Sequence, residues 1–136
     1  MSSKKIKVLI VDDSAIVVER LSEIISEMTS VAPVLISNSF NEAVDLINVE
    51  LPDVILLDIQ LPGKNGIELL SFVKSRYPQI KIIIVTNRAS DYYRDLCNEM
   101  GANSFIDKST EFEKIPELIE KLSCVNSSEI NITFTP

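Results

Sequence analysis

The sequence predicts an α/β fold built on a parallel sheet. Three observations carry that prediction. Short apolar runs without polar alternation recur along the chain, as in strands covered on both faces. Segments with an apolar stripe at helical spacing lie between them. The two kinds of segment alternate about five times, the rhythm of a parallel sheet with helical crossovers.

The first strand is read in "IKVLIV" (6–11), followed by a helix with Val17, Leu21, Ile24 and Met28 on one stripe. "PVLIS" (33–37) is the second strand. Ser39 with Glu42 then reads as a capping box for a helix carrying Phe40, Val44 and Ile47. "DVILL" (53–57) is the third strand, and the helix after it shows Ile67, Leu70 and Val73 before Pro78 stops it. "IKIIIV" (80–85) is the fourth strand. Its helix carries Tyr93, Leu96, Cys97 and Met100 and ends at Gly101, a residue suited to a C-terminal cap. "SFI" (104–106) is the fifth strand.

Proline places the last helix. Pro116 has no N–H to donate and fits only a first turn, so a short turn is expected at 110–114 and the helix from about Ile115 to Cys124. Five strands in this alternation predict the flavodoxin-like order 2-1-3-4-5, doubly wound, with helices on both faces. One domain is expected over 1–124, with a short tail at 125–136 and no output domain. Within the tail Ile130, Ile132 and Phe134 alternate as a strand would; a loose tail is the preferred reading.

Composition narrows the function. The chain has 136 residues, 46% hydrophobic and 24% charged, with three glycines, which describes a globular domain. A net charge of −7 disfavours phosphate-backbone binding and favours cations or basic partner surfaces. No histidine is present, so neither a zinc site nor a nucleophile–histidine pair can be completed. Cys97 and Cys124 are read as packing thiols. Neither a signal-peptide pattern nor a run of membrane-spanning length occurs, so a cytoplasmic location is expected.

In open parallel sheets, functional groups gather beyond the carboxyl ends of the strands. The first strand delivers Asp12 and Asp13 there, the third Asp58, the fourth Thr86 and the fifth Lys108. Singly, each has an ordinary explanation: a helix cap, a loop acid, a strand-end hydroxyl, a surface charge. Together they form a site. Carboxylates 4 Å apart repel by about 4 kcal/mol at an effective dielectric of 20, so their pKa values rise or a cation compensates. A hard divalent ion with oxygen ligands fits best: Mg²⁺, with Mn²⁺ a substitute. Asp58 can then act as a carboxylate nucleophile on a phosphoryl group whose oxygens are neutralised by the metal and Lys108. Thr86 can hydrogen-bond a phosphoryl oxygen.

At these positions "VDDS", "LLDIQLPGKNGIELL", "IIIVTN" and "GANSFIDK" resemble the receiver domain of two-component response regulators, over roughly residues 5–124. The resemblance implies that Asp58 is the phospho-acceptor, that Asp13 and Asp58 bind Mg²⁺ directly, that Asp12 acts through water, and that the Gln60 carbonyl completes the ligands. It implies that Thr86 and Phe105 are linked switch residues. It further implies a histidine kinase or histidine phosphotransfer protein as donor, and a protein partner on the face of the fourth helix, fifth strand and fifth helix. Tyr92 and Tyr93, otherwise ordinary helix aromatics, lie on that face. No direct nucleic-acid or membrane partner is expected, and the chain is read as a monomer or weak homodimer.

Gly66 matches a family glycine and suits a backbone that needs room or positive φ. Four residues depart from the family pattern. Ser109 follows Lys108 where proline is common, and a cis bond there is not expected. Asn87 and Arg88 are bulkier than the small residue usual after the switch hydroxyl, which implies altered access and phosphoryl lifetime. Phe105 has no phenolic hydroxyl.

Other readings are a receiver cut from a longer DNA-binding regulator, a Mg²⁺-dependent aspartyl phosphatase, and a flavin module of the same topology. The phosphatase expects its nucleophile in a D-x-D motif on the first strand. The flavin module expects hydroxyl and glycine donors where Asp12 and Asp13 stand.

Overall fold

The computed structural model describes residues 4–61 and 65–125. Five strands, β1 (Val8–Val11), β2 (Leu35–Ser37), β3 (Val54–Leu57), β4 (Lys81–Thr86) and β5 (Ser104–Asp107), form one sheet in the order β2-β1-β3-β4-β5. All neighbouring pairs are parallel. The helices are α1 (Ala15–Ser26), α2 (Phe40–Glu50), α3 (Gly66–Arg76), α4 (Asp91–Glu99) and α5 (Ile115–Val125), the last preceded by a 3-10 turn at Phe112–Lys114. This is the doubly wound arrangement the sequence predicts.

Strand parity sorts the core into two layers, because successive side chains leave a strand on opposite faces. Leu9, Val11, Ile55, Leu57, Ile82 and Ile84 pack with α2, α3 and α4. Val8, Ile10, Val54, Leu56, Ile83 and Val85 pack with α1 and α5. The uninterrupted apolar runs of β1, β3 and β4 are thus explained, since these strands are buried on both sides, whereas Ile36 on the edge strand β2 is exposed.

Several element details differ from expectation. β2 has three residues instead of five, and Pro33 offers no N–H for a ladder. Ile6 forms an isolated bridge with Val31 outside β1, while β4 extends one residue further, to Thr86. The deepest helix residues also shift. Ile25 on α1, Ala43 on α2 and Leu69 on α3 are fully buried although none stood on the expected stripes, because the buried arc of a helix covered by a sheet is wider than one line of residues.

The caps set where the helices begin. Ser14, Ser39 and Ser90 each accept the N–H three residues ahead, and Asn65 accepts from Ile67 and Glu68. Glu42 completes its box one residue early, accepting from the Asn38 N–H rather than that of Ser39. Gly101 ends α4 with φ near +100°, and Pro116 sits in the first turn of α5. The 126–136 alternation and the Cys124 side chain lie outside the described residues. Among the described residues no helix is long and apolar enough to cross a membrane.

Candidate functional site

Register builds the site. Beyond the strand ends, the Asp12 N–H donates to the Ser37 carbonyl (3.1 Å), the Asp58 N–H to the Val11 carbonyl (3.0 Å) and the Lys108 N–H to the Thr86 carbonyl (2.9 Å). Each bond extends the parallel ladder by about one residue, so the residues carrying the chemistry stand side by side at one edge. Asp12, Asp13, Asp58, Thr86 and Lys108 all lie there, as the strand-end reading expected.

Their side chains differ in exposure. Asp12 and Asp58 are 2% and 4% exposed and Thr86 is fully buried, whereas Asp13 faces solvent. Carboxylate oxygens of Asp12, Asp13 and Asp58 lie within 4.8 Å of one another. Lys108 Nζ bridges the two buried acids, 2.9 Å from Asp12 Oδ2 and 2.8 Å from Asp58 Oδ2. The remaining oxygens accept backbone N–H groups: Asp12 Oδ1 from Ser14 (2.9 Å) and Asp58 Oδ1 from Gln60 (3.0 Å).

One ammonium against three carboxylates leaves two negative charges in excess if all are ionised. Burial raises the Asp12 carboxyl above its ordinary range, against the hydrogen bonds from Lys108 and Ser14. For Lys108, burial alone would lower the ammonium; its bonds to Asp58 and Asp12 outweigh that and hold it above the usual lysine value. An all-oxygen cluster with unbalanced negative charge and one solvent-facing member fits a hard divalent cation.

The mouth is a cleft of about 490 Å³ lined by Asp13, Gln60, Asn65, Arg88 and Tyr93 together with apolar side chains of the loop after β3. The Arg88 guanidinium lies 5.9 Å from the Tyr93 ring centroid, and its backbone N–H donates to Thr86 Oγ1 at 3.1 Å. That hydroxyl keeps its own hydrogen for another acceptor. Gly66 packs against the backbone just past the end of β3. Its φ is not positive, so of the two roles expected for it, room is the one observed: a Cβ would overlap the Asp58 carbonyl and come 2.6 Å from Ile59 Cα.

Phe105 is partly buried on β5, packed against the layer that holds α4, with the Arg94 guanidinium 4.7 Å from its ring centroid. Tyr92 is exposed and meets Tyr93 edge to face. The Lys108–Ser109 bond is trans, no cis peptide occurring among the described residues.

Three contributors were not singled out from the sequence. Asn65 caps α3 and lines the cleft; "NGIE", with Glu68 three residues on, was the available signal. Arg94 over Phe105 and Asp107 beside Ser109 depend on contacts between elements or within an irregular loop, which no periodicity encodes.

A five-stranded parallel sheet in this order, with an acid cluster and a lysine gathered beyond the carboxyl ends of its strands, is a doubly wound α/β domain. The chain belongs to the response regulator receiver domain family, whose model matches residues 8–120. It is similar to the response regulator domain of CheB from Thermotoga maritima, with 31% identity and a TM-score of 0.76 over 89% of this chain and 96% of that one. A CheY-like receiver domain protein from Methanospirillum hungatei gives 28% identity and 0.77, covering 89% and 98%. The response regulator RcsB of Salmonella typhimurium gives 19% and 0.82, covering 97% of this chain and 63% of that longer one; at this identity the likeness shows the fold alone. Phosphoaspartate and Mg²⁺ binding are typical of the family.

Proposed function

We propose that this domain is a phosphorylation-controlled switch that accepts a phosphoryl group on Asp58 from a phosphohistidine of a histidine kinase or phosphotransfer protein. A carboxylate oxygen of Asp58 forms the new P–O bond as the donor P–N bond breaks. The electron pair stays on the imidazole nitrogen and the product is an acyl phosphate. Lys108, already 2.8 Å from Asp58, balances charge on the transferring group, and the Thr86 hydroxyl donates to one of its oxygens. Asp12, Asp13, Asp58 and the Gln60 carbonyl would hold Mg²⁺, which supplies charge neutralisation at the phosphoryl oxygens. Catalysis by the domain is limited to its own phosphorylation and dephosphorylation.

The observation that carries this reading is the bridging lysine: a buried carboxylate at a strand end, held by one ammonium and one backbone N–H, beside an acid that faces the cleft. A carboxylate kept only for structure has no need of that surplus of acids. Output then runs through protein contact on the α4–β5–α5 face, where Thr86 and Phe105 report the phosphorylated state by shifting a two-state equilibrium that a partner reads. A monomer or weak homodimer in the cytoplasm, without direct nucleic-acid or membrane contact, suits that role.

Incubation with Mg²⁺ and acetyl phosphate, followed by intact mass, tests the proposal. One phosphoryl adduct on the wild type and none on Asp58→Ala is expected. An adduct that persists in Asp58→Ala, or none on a wild type that binds Mg²⁺, overturns it.

A further inference from the structure

Lys108 is carried just past the end of β5, so the sheet alone does not fix the direction of its side chain. Its N-terminal side is anchored by the bond from its own N–H to the Thr86 carbonyl. The C-terminal side has a different anchor. Ser109 donates twice to one oxygen, Asp107 Oδ1, through its N–H (2.9 Å) and its Oγ–H (2.7 Å).

Asp107 is itself fixed at both main-chain groups. Its N–H donates to Glu111 Oε1 (2.9 Å), and its carbonyl accepts from Thr110 (3.2 Å) and Glu111 (2.9 Å). It also pairs with Thr86 in the sheet register. The residues before and after Lys108 are therefore clamped to each other, through a carboxylate that makes none of its hydrogen bonds to the acid cluster. A proline after Lys108 would have neither the N–H nor the hydroxyl that this clamp requires.

The clamp matters because of the reach it controls. A lysine side chain has four rotatable carbons and loses much of its rotamer freedom when held in one geometry. Lys108 must nevertheless sit within 2.9 Å of two different carboxylates at once. A fixed backbone origin reduces the ways in which that side chain can miss.

We propose that Asp107 is a positioning residue: acting through Ser109, its carboxylate fixes the backbone from which Lys108 is aimed at Asp58. The inference rests on the reading of Asp58 as phosphoryl acceptor. Asp107 acts on the ammonium and leaves the oxygen ligands of the metal alone, which separates it from a residue that merely holds the fold.

The test uses the full chain with Asp107→Ala, Asp107→Asn, Lys108→Met and the Asp107→Ala/Lys108→Met pair. Adduct formation from acetyl phosphate is timed by intact mass, and Mg²⁺ affinity is measured by calorimetry. Asp107→Ala is expected to slow adduct formation about tenfold, since misplacement of a positioning group by an ångström can cost up to about a hundredfold. Mg²⁺ affinity should stay within about twofold of wild type, and Asp107→Asn, which keeps an acceptor oxygen, should recover most of the rate. In the Lys108→Met background, Asp107→Ala should cost nothing further. A wild-type rate in Asp107→Ala, a parallel fall in Mg²⁺ affinity, or an undiminished loss without Lys108 would each overturn the proposal.

A second arm does not need phosphorylation. In metal-free urea unfolding, the two substitutions together should change the unfolding equilibrium constant by less than the product of their separate effects. A wild type that takes no phosphoryl group refutes the acceptor reading alone. The unfolding cycle then still decides whether Asp107 acts on Lys108, and strict additivity there refutes it.

Discussion

Asp12 and Lys108 form an ion pair, Oδ2 to Nζ 2.9 Å, in which each side chain is more than nine-tenths withdrawn from water. The same ammonium serves Asp58, so one cation compensates two buried anions. Removing one partner of a buried pair leaves an uncompensated charge and typically costs about 3–5 kcal/mol.

Lys108→Met should therefore destabilise the metal-free domain by about 3–5 kcal/mol, the range for a broken buried pair. Saturating Mg²⁺ should return a larger share of stability to the variant than to the wild type, because in the variant it is the only cation facing both acids. Urea unfolding with chelator and with Mg²⁺ checks this. Equal Mg²⁺ stabilisation of both proteins would show that Lys108 and the metal do not share these carboxylates.

Gly66 admits no side chain. An added Cβ would meet the Asp58 carbonyl and lie 2.6 Å from Ile59 Cα, both of them backbone atoms that cannot swing aside. Gly66→Ala should cost about 1–3 kcal/mol, the usual range for overpacking, and should displace the strand end that carries Asp58. Urea unfolding reads the first effect. The rate of adduct formation, slowed in the still-folded variant, reads the second.

The sheet was legible because its physics is local. Strands such as 54–57 are apolar on both faces, so their runs show without knowledge of what covers them. Asp12, Asp13, Asp58, Thr86 and Lys108 were legible because strand ends in a parallel sheet converge on one edge, whatever the loops do. Finer features were hidden for equally definite reasons. Which of Ile24 and Ile25 is buried deepest depends on how α1 is rotated against the sheet, and a 12-residue helix tolerates either. The stacking of Arg94 on Phe105 joins side chains on different elements, and the double bond from Ser109 to Asp107 depends on the path of an irregular loop.

That loop should respond to acid. The bonds from Ser109 hold the Asp107 carboxyl below its ordinary 3.8, and the Asp107 N–H together with Lys114 holds Glu111 below its ordinary 4.5. Folded-state values below the unfolded ones mean that this stabilisation is present above 3.8 and 4.5 and is lost as pH falls through the folded-state values. Hydrogen exchange at the Ser109 and Asp107 amides should accelerate over that range, beyond the change in intrinsic exchange, while the β4 amides stay protected. Asp107→Asn and Glu111→Gln should flatten the profile. Loss of protection at the same pH throughout β4 would instead indicate global unfolding.

On the proposed function, the cleft mouth should set how long a phosphoryl group on Asp58 survives, because hydrolysis needs a water to reach the phosphorus. Asn87 and Arg88 are both exposed beside the buried Thr86, and Arg88 shares the cleft wall with Asp13 and Gln60. Its guanidinium stands near the Tyr93 ring, a contact worth about 0.5–1 kcal/mol at an exposed site, so the arm is only loosely restrained over the opening. Asn87→Ala and Arg88→Ala should each shorten phosphoryl lifetime several-fold. Truncating Asn87 should also speed phosphorylation by acetyl phosphate, since a wider mouth admits donor as well as water. Arg88→Ala removes a cation facing an anionic donor, so its phosphorylation rate should rise less than its hydrolysis rate. Time courses of adduct loss after rapid removal of donor separate the two effects. Unchanged lifetimes in both variants would mean that access is set elsewhere, with Gln60 the next wall residue to truncate.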